Sequence, residues 1–254
     1  MDETKLPITE HLAELRNRLI WILAAWVIGA AGAWNFSEQI FAWLLAPAVE
    51  ALGEGERTLQ AIAPTEIFFT YLKCALLAGF IFALPVIFWH IWGFVAPGLY
   101  PSEKNAIVPF VVVSTFLFVG GAIFGYSQVF PLMFDFFTNF DSEFVQSAWT
   151  MREVFALTTR LFLAFGIAFE MPVFVFFLSI TGIVDAATLW RGTPYAVVIV
   201  FVVAAILTPP DWVSQVFLGI PMVLLYLVGV GVAYIFGATR RSDVEEAGPQ
   251  ASGS

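Results

Sequence analysis

Six long apolar stretches alternate with short polar segments along this chain of 254 residues. A helix that crosses a hydrocarbon layer of ~30 Å needs about 20 predominantly apolar residues, and lipid offers no partner for unpaired backbone groups. Hydrophobic residues make up 60% of the sequence and charged residues only 12%, against about 25% charged residues in soluble domains. The sequence therefore predicts an all-α integral membrane protein with six transmembrane helices.

The spans are predicted from the limits of the apolar runs, over residues 19–34, 66–92, 106–137, 154–181, 195–207 and 213–236. Residues 9–18 predict a short amphipathic helix that enters the membrane, and residues 38–52 an interfacial helix on the outer side. Spans two to four are longer than a bilayer requires, so we expect tilted or kinked helices. We expect one membrane domain over residues 1–238, followed by a disordered cytoplasmic tail at 239–254.

The basic residues predict which side of the membrane each segment faces, because cytoplasmic loops carry an excess of Lys and Arg. With a cytoplasmic N-terminus, seven basic residues lie on inner segments and two on outer segments. The inner set is Lys5, Arg16, Arg18, Lys104, Arg191, Arg240 and Arg241, and the outer set is Arg57 and Arg152. Both termini are therefore predicted to be cytoplasmic. The polar opening does not resemble a cleavable signal peptide, so the first apolar run is expected to remain as a span.

Sequence patterns for common catalytic sites are missing. The chain contains no GxxxxGKS or GxxxxGKT loop, no HExxH and no GxSxG, and it has only two histidines, His11 and His90. The one cysteine, Cys74, lies in an apolar run and cannot form an intramolecular disulfide. A net charge of −9 argues against nucleic acid as a partner. We therefore expect no enzyme, no cofactor and no metal site.

Two carboxylates fall in segments predicted to face the cytoplasm. Glu14 lies on the amphipathic helix, where it can pair with Arg18 four residues later. Glu103 lies in a hinge, GFVAPGLYPSEK at residues 93–104, whose prolines and glycines end span two and whose Ser102 can cap span three. Composition alone favours structural roles, namely an ion pair for Glu14 and stabilisation of a helix dipole for Glu103. A ligand-binding role for both stays open.

Two further acids lie at unusual positions. Glu170 falls well inside span four, where an ionised side chain costs about 2.5–3.5 kcal/mol on insertion scales. Pro172 frees a backbone carbonyl nearby. Glu170 is therefore either a protonated acid bonded to a neighbouring helix or a buried polar contact for a partner or substrate. Asp211, which follows two prolines, is predicted to be the N-cap of span six.

Four segments together resemble the TatC family, the multispanning receptor subunits of the twin-arginine protein translocase. They are HLAELRNRL at 11–19, FVAPGLYPSEK at 94–104, FGIAFEMPV at 165–173 and LTPPDWVSQ at 207–215. Their joint occurrence in this order on six spans is specific, whereas each one alone would be weak. The resemblance implies a concave, glove-like helix bundle in the bacterial inner membrane, which recognises twin-arginine signal peptides and organises the transport of folded proteins.

The resemblance also implies roles for individual residues and partners. The residues that match the family's signal-peptide site are Glu14, Phe94, Pro97, Leu99 and Glu103. Glu170 matches a buried acid in a polar groove, and Asp211 matches a functional acid of an outer loop. The implied partners are the single-span subunits TatA and TatB along spans five and six, within a higher-order oligomer. The proton-motive force is the implied energy source.

Recognition of arginine by two carboxylates has a physical basis. A guanidinium ion pairs with a carboxylate through two parallel hydrogen bonds, a geometry that lysine does not copy. Hydrogen bonds to charged groups contribute roughly 1.5–3 kcal/mol each, so two sites discriminate by roughly one hundred-fold to ten thousand-fold. The alternative is a proton-coupled secondary transporter of a small solute, with Glu170 as proton carrier and Lys73 or Arg160 as substrate ligand.

Overall fold

The computed structural model describes residues 8–52, 59–95, 107–139, 149–208 and 211–247. Helices account for nearly all of these residues. Their α-helices are α1 (Ile8–Ala33), α2 (Ser37–Ala51), α3 (Pro64–Val95), α4 (Ile107–Phe124), α5 (Phe130–Thr138), α6 (Met151–Phe169), α7 (Met171–Ile180), α8 (Ala186–Leu207) and α9 (Trp212–Ala247). A 3-10 turn, Trp34–Phe36, joins α1 to α2, and a π-helical segment, Gly125–Val129, joins α4 to α5.

Six helical stretches in the described part of the chain are long and apolar enough to cross a membrane. They are His11–Ala51, Pro64–Val95, Ile107–Thr138, Met151–Ser179, Ala186–Leu207 and Trp212–Ile235. The prediction of an all-α membrane protein with six spans is therefore confirmed. Among the described residues, β-type backbone pairing is limited to one isolated β-bridge, between Gln60 and Thr150.

Helix ends differ from the predicted span ends in three places. The amphipathic segment predicted at 9–18 is continuous with the first span in α1. The fifth span begins at Ala186, well before residue 195, although Arg191 and Pro194 reduce its apolarity. The last helix continues to Ala247, into the stretch predicted as a disordered tail. An apolar run predicts which residues lie within lipid, whereas a helix can also include flanking polar residues with good helix propensity. This explains all three differences.

Contacts group the chain into two compact units. The first unit consists of Met1–Val119 and Tyr126–Thr159, and the second unit consists of Gly120–Gly125 and Arg160–Ser254. The expected single membrane domain stays a prediction. Within the second unit, Gly121 and Gly125 are four residues apart, a spacing that favours close helix contact, and both pack against Phe165. A Cβ added to Gly121 would lie 2.5 Å from the carbonyl oxygen of Phe165 on α6. In the same unit α9 packs on α7 and α8, and the Tyr226 hydroxyl donates to the Leu189 carbonyl oxygen at 2.7 Å.

Small residues let α1 approach α3 closely in the first unit. A Cβ added to Gly79 would lie 2.3 Å from the backbone nitrogen of Ala30, and one added to Gly29 would lie 2.9 Å from the Gly79 carbonyl oxygen. Beside this contact the Trp26 indole donates to the Leu76 carbonyl oxygen at 2.7 Å. Lipid provides no hydrophobic drive between helices, so such close packing holds helix pairs together. The contact fixes α1 against α3.

At the end of the first unit where α3 and α6 begin, Glu66 joins two backbone segments. Its Oε2 accepts from the Ile62 amide at 2.9 Å, and its Oε1 accepts from the Arg152 amide at 2.8 Å. The same segments are bridged by the Met151 amide, which donates to the Gln60 carbonyl oxygen at 2.8 Å. The Glu66 carboxylate therefore links the start of α3 to the start of α6.

We expect Glu66→Gln to destabilise the protein, because the amide that replaces one carboxylate oxygen cannot accept a hydrogen bond. Charge-assisted bonds of this kind contribute more than neutral ones, but water screens exposed ones, so we expect a loss of about 1 kcal/mol. Thermal unfolding in detergent should show a Tm lower by about 2–4 °C. Glu153→Gln is the matched control, because the Glu153 side chain is 78% exposed. An equal Tm change in both variants would contradict this role for Glu66.

Candidate functional site

Near the start of α1, Glu14 forms an ion pair with Arg18. The Nε and Nη2 atoms of Arg18 both donate to Glu14 Oε1, at 2.9 and 2.6 Å. The two side chains are four residues apart on one helix and are only partly buried, with Glu14 32% and Arg18 23% exposed. The pair predicted from the spacing therefore forms, and it leaves Glu14 accessible from outside.

The same guanidinium group reaches the end of α3. Arg18 Nη1 donates to the His90 carbonyl oxygen at 3.3 Å, and Nη2 donates to the Gly93 carbonyl oxygen at 3.1 Å. The Gly93 carbonyl is among the last four of α3, which lack partners within the helix, and a cation near this end also interacts favourably with the helix dipole. Arg18 therefore joins α1 to the last turns of α3.

Glycine at position 93 is needed for this contact. A Cβ on Gly93 would lie 2.6 Å from Arg18 Nη1 and 3.4 Å from its Cζ. Any larger residue would therefore push the guanidinium group away from the helix end. Because the contact involves the tip of a flexible side chain rather than backbone, the helices themselves would not have to move.

An aromatic contact brings Phe94 to the same place. The rings of His11 and Phe94 stack with centroids 4.4 Å apart and planes 15° apart. The Nδ1 atom of His11 lies 3.9 Å from Glu14 Oε2, whereas the Arg18 hydrogen bonds go to Oε1. Glu14 and Phe94, both predicted from the sequence as site residues, thus lie on either side of His11.

An open recess of about 490 Å³ adjoins the ion pair. It is lined by Ala13, Glu14, Asn17, Arg18, Trp21 and His90. The wall combines a carboxylate, a carboxamide and an indole ring, so it offers acceptors for a cation beside an apolar surface. A cationic side chain can approach Glu14 through this recess.

The structure places only part of the predicted site. Pro97, Leu99 and Glu103 lie outside the described residues, so their contribution stays a prediction. Sequence reasoning missed the backbone carbonyls of His90 and Gly93, which carry no side-chain signature. It also missed the stacking of His11 on Phe94. The helix-ending hinge after Gly93 was the available signal, because it marks where α3 carbonyls lose their partners.

The two other predicted acids lie in the second unit, in different settings. Glu170 occupies the single-residue break between α6 and α7, ahead of Pro172, and its Oε1 atom is buried. Asp211 Oδ1 accepts from the Ser214 amide at 2.6 Å at the start of α9, which confirms the predicted N-cap. The functional roles of both acids stay predictions. Among the described residues, no group of three His, Cys, Asp or Glu side chains is arranged to hold a metal ion.

Comparison with known proteins gives one consistent family. The model of the TatC family, described as Sec-independent protein translocase protein, matches residues 10–221. The chain is 43% identical to the TatC protein of Desulforapulum autotrophicum over 97% of this chain and 91% of that protein. It is 42% identical to the TatC protein of Magnetococcus marinus over 98% of this chain and 91% of that protein. The crystal structure of the twin arginine translocase receptor TatC superimposes with a TM-score of 0.79, at 36% identity, over 89% of this chain and 98% of that one.

Proposed function

This chain belongs to the TatC family of Sec-independent protein translocase proteins, and from that premise we propose that it binds twin-arginine signal peptides. It is a multi-pass membrane component of a protein translocase. In our proposal it lies in the bacterial inner membrane with both termini in the cytoplasm, and it acts as receptor rather than as an enzyme. The comparisons give no support to the transporter alternative.

The arrangement around Glu14 carries the proposal. Its carboxylate lines an open recess and already accepts hydrogen bonds from a guanidinium group, that of Arg18. A signal-peptide arginine would present the same chemical group to the same acceptor. Phe94 lies beside it through the His11 stack, where it can contact apolar residues that flank the arginines.

The second arginine is assigned to Glu103 in this proposal. Residues 94 and 103 belong to one hinge segment, which begins at the end of α3 and so beside the Glu14 recess. Pro97 and Leu99 in the same segment would shape the surface that the peptide contacts. Two carboxylates at fixed spacing favour two adjacent guanidinium groups over a diffuse positive charge.

The remaining assignments follow the family. We assign the single-span subunits TatA and TatB to α8 and α9, and Val198, Ile199 and Val202 expose an apolar face on α8. Glu170 is assigned to a polar contact with substrate or partner inside the membrane. Asp211 is assigned a role in the outer loop besides its capping bond. The excess of basic residues on the N-terminal side of the membrane supports the proposed orientation.

The test compares a synthetic twin-arginine signal peptide with its twin-lysine version, using the full-length protein in detergent. Lysine keeps the charge but loses the paired hydrogen bonds, so we expect the twin-lysine peptide to bind roughly 10- to 100-fold more weakly. Fluorescence anisotropy of labelled peptides measures both affinities. Equal affinities would contradict recognition by paired guanidinium groups.

A further inference from the structure

We propose that the Glu14 carboxylate and the carbonyl oxygens of His90 and Gly93 form a guanidinium-binding cradle. Arg18 fills this cradle in the free protein, and a ligand arginine takes its place on binding. The inference deepens the proposed function and rests on it for the identity of the natural ligand. The cradle itself can be tested with a small guanidinium compound.

The contacts of Arg18 match what a guanidinium group requires. Three of its nitrogen atoms make four hydrogen bonds of 2.6–3.3 Å, two to Glu14 and two to the α3 carbonyl oxygens. All the acceptors are oxygens, and they are spread around a planar fork of donors. A lysine ammonium group is a point charge, so it cannot reach both the carboxylate and the two carbonyl groups in this way.

Arg18 is suited to leave the cradle. An ion pair between residues four apart on a helix shifts an equilibrium by only roughly two-fold, and water screens it when partly exposed. The Arg18 side chain is 23% exposed and itself lines the open recess, so its guanidinium group can move into that space. A bidentate ligand arginine needs both carboxylate oxygens of Glu14, and Oε1 already accepts two Arg18 donors. Binding of the ligand arginine and release of Arg18 from the cradle are therefore coupled.

The test uses N-acetyl-arginine amide as ligand and N-acetyl-lysine amide as its control. Arg18→Gln empties the cradle, so we expect it to bind the arginine derivative roughly two- to five-fold more tightly than the wild-type protein does. Arg16→Gln removes the same charge from the same helix without touching the cradle, and we expect no gain. Ligand-observed NMR titration of the full-length protein measures these affinities.

A second variant tests the carbonyl side of the cradle. In the Arg18→Gln background, Gly93→Ala places a methyl group 2.6 Å from the position that Nη1 of the Arg18 guanidinium occupies, too close for a ligand guanidinium there, so the gain should be lost. Monodispersity and a single cooperative thermal transition establish that each variant is folded. The proposal is overturned if folded Arg18→Gln binds the arginine derivative no more tightly than the wild-type protein does. It is equally overturned if no variant binds the arginine derivative measurably. It is also overturned if Arg16→Gln or the lysine derivative gains equally, or if Gly93→Ala leaves the gain intact.

Failure of the cradle and failure of the proposed function give different results. If only the cradle is wrong, the wild-type protein still prefers the twin-arginine peptide, while Arg18→Gln brings no gain with the small ligand. If only the proposed function is wrong, Arg18→Gln gains affinity for the small ligand, while the two peptides bind the wild-type protein equally.

Discussion

Replacing Glu14 with glutamine should lower the affinity for a twin-arginine signal peptide roughly 10- to 100-fold. The loss follows from removing a charged acceptor, since hydrogen bonds to charged groups contribute about 1.5–3 kcal/mol. Glutamine has nearly the same volume, so the stacking of His11 on Phe94 should persist. Glu103→Gln should have an effect of the same order, and the double variant should lose peptide crosslinking altogether.

Glu38→Gln serves as the control for this prediction, because Glu38 lies in the first turn of α2 and its replacement changes the net charge by the same amount. We expect its peptide affinity to equal that of the wild-type protein. Anisotropy titration measures affinity, and crosslinking from a labelled peptide shows which residues lie near it. Unchanged binding by folded Glu14→Gln would remove Glu14 from the site, and unchanged crosslinking by Glu103→Gln would remove Glu103.

Gly79→Val should strongly destabilise the first unit. The added Cβ would lie 2.3 Å from the nitrogen and 2.6 Å from the Cα of Ala30, and these backbone atoms cannot move aside as a side-chain tip can. We expect α1 to separate from α3 at a cost of about 3 kcal/mol or more. The Tm in detergent should fall by at least about 6 °C. Peptide affinity should fall too, because Glu14 lies on α1 and the carbonyl groups of His90 and Gly93 lie on α3.

Gly32→Val is a close control for Gly79→Val. It adds the same side chain to α1, but a Cβ at Gly32 would meet nothing within 4 Å. We expect its Tm to stay within about 1–2 °C of the wild-type value, as for most surface substitutions. If the two variants unfold at the same temperature, the close contact between α1 and α3 is not what stabilises this pair.

The number and class of the helices could be predicted because lipid imposes a simple length and apolarity rule. Helix pairing could not be predicted in the same way. The Gly121/Gly125 spacing indicated a close contact, but no local pattern says that Gly29 meets Gly79 across two helices. Such a pairing depends on which faces of separate helices meet, and a single sequence does not record that.

The candidate site shows the same limit. The spacing of Glu14 and Arg18 predicted their ion pair, since both lie on one helix and contact depends on spacing alone. The carbonyl groups of His90 and Gly93 lie 72 and 75 residues from Arg18, and every residue type carries such a group. The function came from the family resemblance, because composition alone favours structural roles for carboxylates at these positions.

The length of α9 has a mechanical consequence. The stretch Trp212–Ile235 is apolar enough to cross a membrane, and the helix continues to Ala247. At 1.5 Å per residue, residues 236–247 add roughly 18 Å of helix beyond this stretch. A fluorophore attached at position 247 would therefore stay at a nearly constant height above the bilayer, instead of sampling the broad range of a loose tether.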